Sequence, residues 1–210
     1  VSAAGTDIWN LEDQFRFVYK RLSGDGSIVA RVDNITNTHV WAKAGVMVRE
    51  TLDAGSRYAA MEATPGSGVA FQRRQALATN AVGTTVGGIL TPQWVKLTRT
   101  GGELKAQRSD DGVTWVDVGV PDTIVMTDPV YIGLAFTSHV ANWPGTAEFS
   151  QIATSGSVSG PWLMEEVGTD HPDNSSQGVY VKLRDSGGRT HVEYHPDAAA
   201  SLLSDWQRWT

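Results

Sequence analysis

The sequence predicts an all-β fold, a two-sheet antiparallel β-sandwich. Three observations carry this. Apolar residues recur with a period of about two along most of the chain, and the helical period of about 3.6 is nowhere sustained. Turn formers punctuate the chain at regular spacing, with 22 Gly and 8 Pro among 210 residues. The stretch WAKAGVMVRETLDAGSRYAAMEATPGSGVAFQRR, residues 41–74, reads as three strands and two turns.

The first strand of that meander spans residues 41–50. Ala42, Ala44, Val46 and Val48 share one face, and Trp41, Lys43, Gly45, Met47 and Arg49 share the other. Alternate residues of a strand point to opposite faces, so the small apolar set is a core face. Asp53 and Gly55 turn the chain, residues 57–64 run back, and the PGSG turn leads to residues 69–74.

Before the meander, Phe15, Phe17 and Tyr19 point one way and Arg16 and Lys20 the other. Gly24, Asp25 and Gly26 predict a turn, and residues 27–35 a strand carrying Ile28, Ala30 and Val32 inward. A loop at residues 34–39 leads on. After the meander a strand is expected near residues 81–86, followed by a Gly87–Gly88 turn. Residues 92–100 form a strand with Trp94 expected in the core. Gly101–Gly102 makes a hairpin turn to residues 103–109, with Leu104 and Ala106 inward. The SDDGVTW stretch, residues 109–115, is a second hairpin. Residues 129–138 are nearly all apolar and predict a central strand covered on both faces. Residues 146–152 close the module. TSGSVSG, residues 154–160, reads as a linker. Beyond it, residues 177–184 and 189–195 predict two strands joined at 185–188, and residues 198–209 allow one helical turn.

Composition narrows the function. A net charge of −6 argues against nucleic acid as a partner, because phosphate binding needs a basic field. No run of about 20 apolar residues predicts a membrane span. Cysteine is absent, which excludes disulfides and thiol chemistry. The opening VSAAGTDIW carries no signal-peptide pattern and no Met, as in a processed or excised piece. The 8 Trp are a high number, and most are expected in the core.

The ordered set GTDIWNLEDQFRFVY, GDGSIVARV, WAKAGVMVRE, ATPGSGVAFQRR, WVKLTR, SDDGVTW and YIGLAFTSH resembles the concanavalin A-like jelly-roll modules of large secreted bacterial proteins. These modules are of the DUF1349-like or "regulation of enolase" type and are laminin-G-like in fold. The resemblance covers residues 5–153 and implies a non-catalytic module beside enzymes, carbohydrate binders or adhesins. VYVKLRDSGGRTHVEYHPD and DWQRW resemble the front half of a galactose-binding-like sandwich. The expected organisation is a concanavalin A-like sandwich over 1–153, a linker over 154–160, and a partial galactose-binding-like β segment over 161–210. Too few strands remain there to bury a core alone. That segment is therefore expected to pack on the first domain or on a neighbouring chain by strand addition.

Sugar hydrolysis needs two carboxylates about 5–9.5 Å apart. Glu50, Asp53, Glu62, Glu148 and the adjacent Glu165 and Glu166 show no such spacing, so solvated or salt-bridged carboxylates are expected. Arg49, Tyr58, Gln72 and His139 supply the residue types of jelly-roll polysaccharide lyases without their pattern. No GxSxG elbow occurs. His191, Glu193 and His195 alternate along one strand, and an exposed polar face is favoured there over a metal site. Modules of the resembled type often carry structural calcium, and Asp7, Asp13, Asp25 and Asp33 are its candidate ligands. SDDGVTW resembles a shortened Asp-box turn, with a structural role.

For ligand binding, SHVANWPG places His139, Asn142 and Trp143 at one rim, and Trp41, Arg49 and Arg73 are expected to join them. Sugar recognition uses aromatic rings against the apolar face of a pyranose and planar polar groups for hydroxyls. The expected function is a non-catalytic, secreted or cell-surface binding module for a polysaccharide or other glycan, requiring no cofactor beyond possible calcium. A self-assembling structural module is the first alternative. A polysaccharide lyase or glycosidase is the second.

Overall fold

The computed structural model describes residues 1–168, together with the backbone of two short strands, Tyr180–Arg184 and His191–Glu193. The strands in chain order are β1 (Ser2–Gly5), β2 (Phe15–Ile35), β3 (Lys43–Arg49), β4 (Tyr58–Ala63), β5 (Val69–Arg74), β6 (Val82–Val86), β7 (Gln93–Thr100), β8 (Glu103–Ser109), β9 (Val116–Asp117), β10 (Asp122–Thr123), β11 (Val130–Thr137), β12 (Val140–Val167), β13 (Tyr180–Arg184) and β14 (His191–Glu193). The fold is an antiparallel β-sandwich, and no α-helix occurs among the described residues. Accordingly, no helix among them is long and apolar enough to cross a membrane.

The front sheet runs β2–β11–β3–β4–β5–β6, and the back sheet runs β2–β7–β8–β10. Strand β2 belongs to both. Its first half pairs with β11 at Arg16–Leu22, and its second half pairs with β7 at Gly26–Val32. Strand β12 accompanies β2 along nearly its whole length, from Ala147↔Ile35 to Val167↔Phe15. The sheets are thus stitched together by one long ribbon.

The main core lies between the sheets. Val46, Val48, Met61 and Phe71 of the front sheet meet Ile28, Val32, Val95, Leu97 and Leu104 of the back. The even positions of β3 face this core as their alternation requires. A second apolar cluster covers the outer face of the front sheet, where Phe15, Phe17, Tyr19, Met47, Tyr58, Ala60 and Ala135 pack against Ile8 and Val167. Strands β3 and β4 are consequently buried on both faces along their whole length. Val130–Thr137 is the expected central strand.

Several expectations are corrected. Residues 154–160 are not a linker: they lie inside β12, with Ser155 opposite Ser27 and Gly156 opposite Gly26. Backbone hydrogen bonds hold this stretch, so its Gly and Ser content does not loosen it. The sandwich therefore runs to Val167 rather than ending at residue 153. Gly24, Asp25 and Gly26 bend a continuous strand instead of ending one, and Gly24 has φ 68°. A Cβ at Gly26 would sit 2.4 Å from the Ser155 carbonyl oxygen, so only glycine admits the neighbouring strand there. The first strand of the meander opens at Lys43 rather than Trp41.

Trp94 also departs from expectation. Gln93, Val95, Leu97 and Arg99 are the inward set of β7, and Trp94 lies half-buried on the opposite face. Its ring packs against Gly112, where an added Cβ would stand 2.8 Å from the indole. Of the six tryptophans among residues 1–168, none is fully buried.

Strands β13 and β14 pair antiparallel, within the two strands expected after residue 176, and β13 runs parallel to β12 at Phe149 and Ser150. The expected turn at 185–188, the helical turn over 198–209 and the side chains of His191, Glu193 and His195 lie outside the described residues.

Candidate functional site

The outer face of the front sheet is built in rows by strand register. One row reads Ala135, Gly45, Glu62, Ala70 across β11, β3, β4 and β5. The next reads Gly133, Met47, Ala60, Gln72, Gly83 across β11 to β6. A third reads Tyr131, Arg49, Tyr58, Arg74. Two polar side chains, Glu62 and Gln72, thus have only Gly or Ala as their immediate neighbours across the sheet.

The segment between β1 and β2 lies across this face. Its backbone is tied down at several points: Gln14 donates to the Asp7 carbonyl (2.7 Å), Asp13 N to the Ala54 carbonyl (3.0 Å), and Ala81 N to the Asn10 carbonyl (2.9 Å). Arg74 gathers the rest. Its guanidinium donates to the carbonyls of Trp9 and Asn10 (both 3.0 Å) and of Ala54 and Ser56 (both 3.1 Å), and to both oxygens of Asp13. Arg49 donates to the Thr51 carbonyl (2.7 Å), lies 3.5 Å from Asp13, and stacks over Phe15 at 5.0 Å. Burial lowers the Arg49 guanidinium to about 10, still a cation at neutral pH.

Trp9 is carried on this segment, and its indole remains half-exposed. A Cβ on Gly83 would lie 3.3 Å from that ring, and Lys43 Nζ is 5.7 Å from its centroid. Lys43 is on β3 and Gly83 on β6, so the indole lies over the intervening strands β4 and β5, which carry Glu62 and Gln72. Lys43 Nζ donates to Asp7 and to the Ile8 carbonyl (3.0 Å). His139 Nδ1 lies 3.2 Å from Asp7 Oδ1, and the His139 ring stacks on His39 at 4.2 Å. Burial holds His139 below its ordinary range, so the imidazole is neutral at pH 7.

Glu62 was expected in solvent or in a salt bridge, and it is in neither. The side chain is fully buried, and neither carboxyl oxygen has a hydrogen-bond partner; Gln72 Oε1 has none either. Burial is the main cause that raises the Glu62 carboxyl to about 8, and Lys43 only partly offsets it. The signal was invisible in sequence, because Glu62 stands alone among Ala and Met and its cover comes from a segment about 50 residues away.

The six residues expected to bind ligand separate into two groups. His139, Asn142 and Trp143 follow one another closely at the entry to β12: His139 is half-buried against Asp7 and His39, Asn142 is exposed and Trp143 is 66% exposed. Trp41 lies half-buried at the same end, its amide donating to His39 Nδ1 (3.1 Å). Arg49 is buried in the Asp13 hub and presents nothing to solvent. Arg73 lies on the other face of β5, where its Nε donates to Asp122 (2.7 Å) of the back sheet. Arg49 lies in the same row as Arg74, and Arg73 is one position off that row, so the two arginines point to opposite faces and one surface cannot hold both.

The four candidate calcium ligands do not converge. Asp7 is bound to Lys43, Asp13 lies between Arg49 and Arg74, Asp25 accepts from Gly101 N (2.6 Å) on the back sheet, and Asp33 pairs with Arg31. Among the described residues no three His, Cys, Asp or Glu gather as a metal cluster. The SDDGVTW turn is the structural device its pattern suggests. Asp111 Oδ1 accepts from Val113 N (2.8 Å) and Thr114 N (2.7 Å), and these bonds hold its carboxyl far below the usual range.

No family model matches the chain, and no curated protein does. One solved structure supports the fold, and two more align more weakly. A protein of unknown function from Saccharomyces cerevisiae aligns over 76% of this chain and 88% of its own, at 18% identity and a TM-score of 0.60. A GH43 protein from Bacillus licheniformis aligns over 69% of this chain and 30% of its own, at 9% identity and a TM-score of 0.46. A xylan β-1,4-xylosidase from Bacillus halodurans aligns over 63% and 28%, at 13% identity and a TM-score of 0.42. The first likeness supports the β-sandwich, and the other two span under a third of those enzymes.

Proposed function

We propose that this chain is a non-catalytic glycan-binding module of a secreted or cell-surface protein. One observation carries the reading: the 66% exposed indole of Trp143 stands beside exposed Asn142, on the rim that His139 joins to Asp7 and Lys43. A large aromatic ring left in water next to fixed polar groups suits the apolar face and hydroxyls of a sugar. The rim sits on a sandwich whose strands are rigidly paired, so little ordering cost opposes binding. The carboxylates Asp7 and Asp13 of the outer face are tied to cations, and Glu62 is buried.

The test is retardation of the pure protein in gels loaded with different polysaccharides, with Trp143→Ala alongside. Retardation by at least one glycan, reduced about tenfold or more in the variant at unchanged melting temperature, is the expected result. Release of new reducing ends or unsaturated sugars would establish an enzyme instead. A second reading, self-assembly, has its own support: β6 pairs only with β5 among the described residues and leaves an edge for another chain. Large assemblies indifferent to every glycan would favour it.

A further inference from the structure

We infer that Glu62, Gln72 and the indole of Trp9 form an inner subsite that takes an uncharged, hydroxyl-rich group, the terminal sugar of a neutral saccharide, and discriminates against acidic sugars. This inference rests on the glycan-binding reading and names the class of sugar.

The argument begins with missing partners. Buried polar atoms are hydrogen-bonded in the great majority of cases. Here three polar atoms in one patch, both Glu62 oxygens and Gln72 Oε1, have no hydrogen-bond partner. Their neighbours across the sheet cannot supply one. Glu62 is flanked by Gly45 and Ala70, and Gln72 by Ala60 and Gly83. The ammonium of Lys43 is committed to Asp7 and the Ile8 carbonyl. The donors that fit this patch therefore come from outside the chain, and sugar hydroxyls are donors.

Access follows from how the cover is held. The backbone of the covering segment is fixed by Arg74, but the Trp9 ring is half-exposed and rests on a glycine. Rotation of one side chain opens the patch without unfolding the segment. The displaced indole then offers an aromatic wall to the bound ring.

Charge sets the selectivity. Asp7, Asp13 and Glu62 approach this face, and its cations Lys43, Arg49 and Arg74 are already paired. His139 is neutral at pH 7, and Tyr58 is buried with its hydroxyl 3.5 Å from the Ile8 carbonyl. A uronate would bring its carboxylate against the Glu62 carboxyl, while Lys43, the cation that acts on Glu62, is held by Asp7. A hydroxyl both donates and accepts, which matches a carboxyl in either protonation state.

The experiment is calorimetric titration of the full chain at pH 7 with cellobiose, xylobiose and galactose, and with glucuronate and galacturonate. Binding is read in parallel from tryptophan fluorescence. At least one neutral sugar is expected to bind at least tenfold more tightly than the matched uronate. Glu62→Leu and Gln72→Leu should each weaken that binding about tenfold, with melting temperatures no lower than wild type. Equal affinity for uronates, or unchanged binding in both variants, would overturn the inner subsite. If Trp143→Ala abolishes binding while Glu62→Leu does not, the rim binds glycan and the inner subsite is wrong. If no polysaccharide retards the protein and no probe binds, both readings fall.

Discussion

Asp13 and Arg74 form a two-pronged ion pair, with Nη1 to Oδ2 and Nη2 to Oδ1 each 2.7 Å long, and both side chains are wholly excluded from water. The pair holds the covering segment on the front sheet, because the same guanidinium gathers carbonyls from three separate loops. Removing one partner strands a buried charge, which costs about 3–5 kcal/mol. Asp13→Ala should therefore destabilise the protein by about that amount in chemical denaturation, since it leaves both Arg74 and Arg49 uncompensated. A loss under about 1 kcal/mol would mean that the hub is not what pins the segment.

Glu62 links stability to pH. Its carboxyl is near 8 in the folded state against 4.5 for the ordinary group, so the folded chain holds a proton that the unfolded chain has released. The stability this contributes is complete below about pH 4.5 and is lost as pH rises through 8, by on the order of 5 kcal/mol at most. Glu62→Gln should flatten that decline between pH 5 and pH 9. Glu62→Leu should go further and raise the melting temperature at pH 8, because it removes a buried group with no partner, worth about 1–3 kcal/mol. Parallel curves for wild type and Glu62→Gln would show that the carboxyl is ionised and satisfied throughout.

Three apolar truncations separate core from surface. Leu97 is fully buried between the sheets, so Leu97→Ala should cost about 2–5 kcal/mol. Trp94→Ala should cost less than Leu97→Ala, because the ring covers only the Gly112 turn from outside. Trp143→Ala should leave thermal melting within about 0.5 kcal/mol of wild type. If Trp94→Ala is the most damaging of the three, its ring holds more of the fold than its position suggests.

Much of this fold was legible in the chain, and the failures have physical causes. The alternation at Ala42, Ala44, Val46 and Val48 gave the core face of β3 because strand parity is strict. Gly101–Gly102 and Asp111–Gly112 gave their hairpins because those dipeptides suit tight turns. The Ser and Gly of residues 154–160 misled, since antiparallel pairing needs only backbone groups and the partner stretch near Ser27 is equally small. Trp94 misled because an alternating strand has two faces, and the larger side chain need not take the inner one. At the candidate site, the exposure of Asn142 and Trp143 was readable from the polar, Pro-containing SHVANWPG stretch, although both lie within β12. The burial of Arg49 and Glu62 was not, because it depends on a distant segment folding over the front sheet.

Truncation tests the extended sandwich. A chain ending at residue 154 loses the part of β12 that pairs with Phe15 to Ser23, including buried Val167 beside Phe15 and Phe17. It should melt at least 5 °C below a chain ending at residue 168, since each kcal/mol is worth about 2–4 °C at this size. Equal melting temperatures would show that the second half of β12 is dispensable.

Two strands belonging to both sheets make the sandwich a continuous cloth rather than two plates pressed together. No seam runs between its layers along which one could slide or peel from the other. Force applied along β2 and β12 would load a ladder of hydrogen bonds in shear, all at once, instead of opening them in turn.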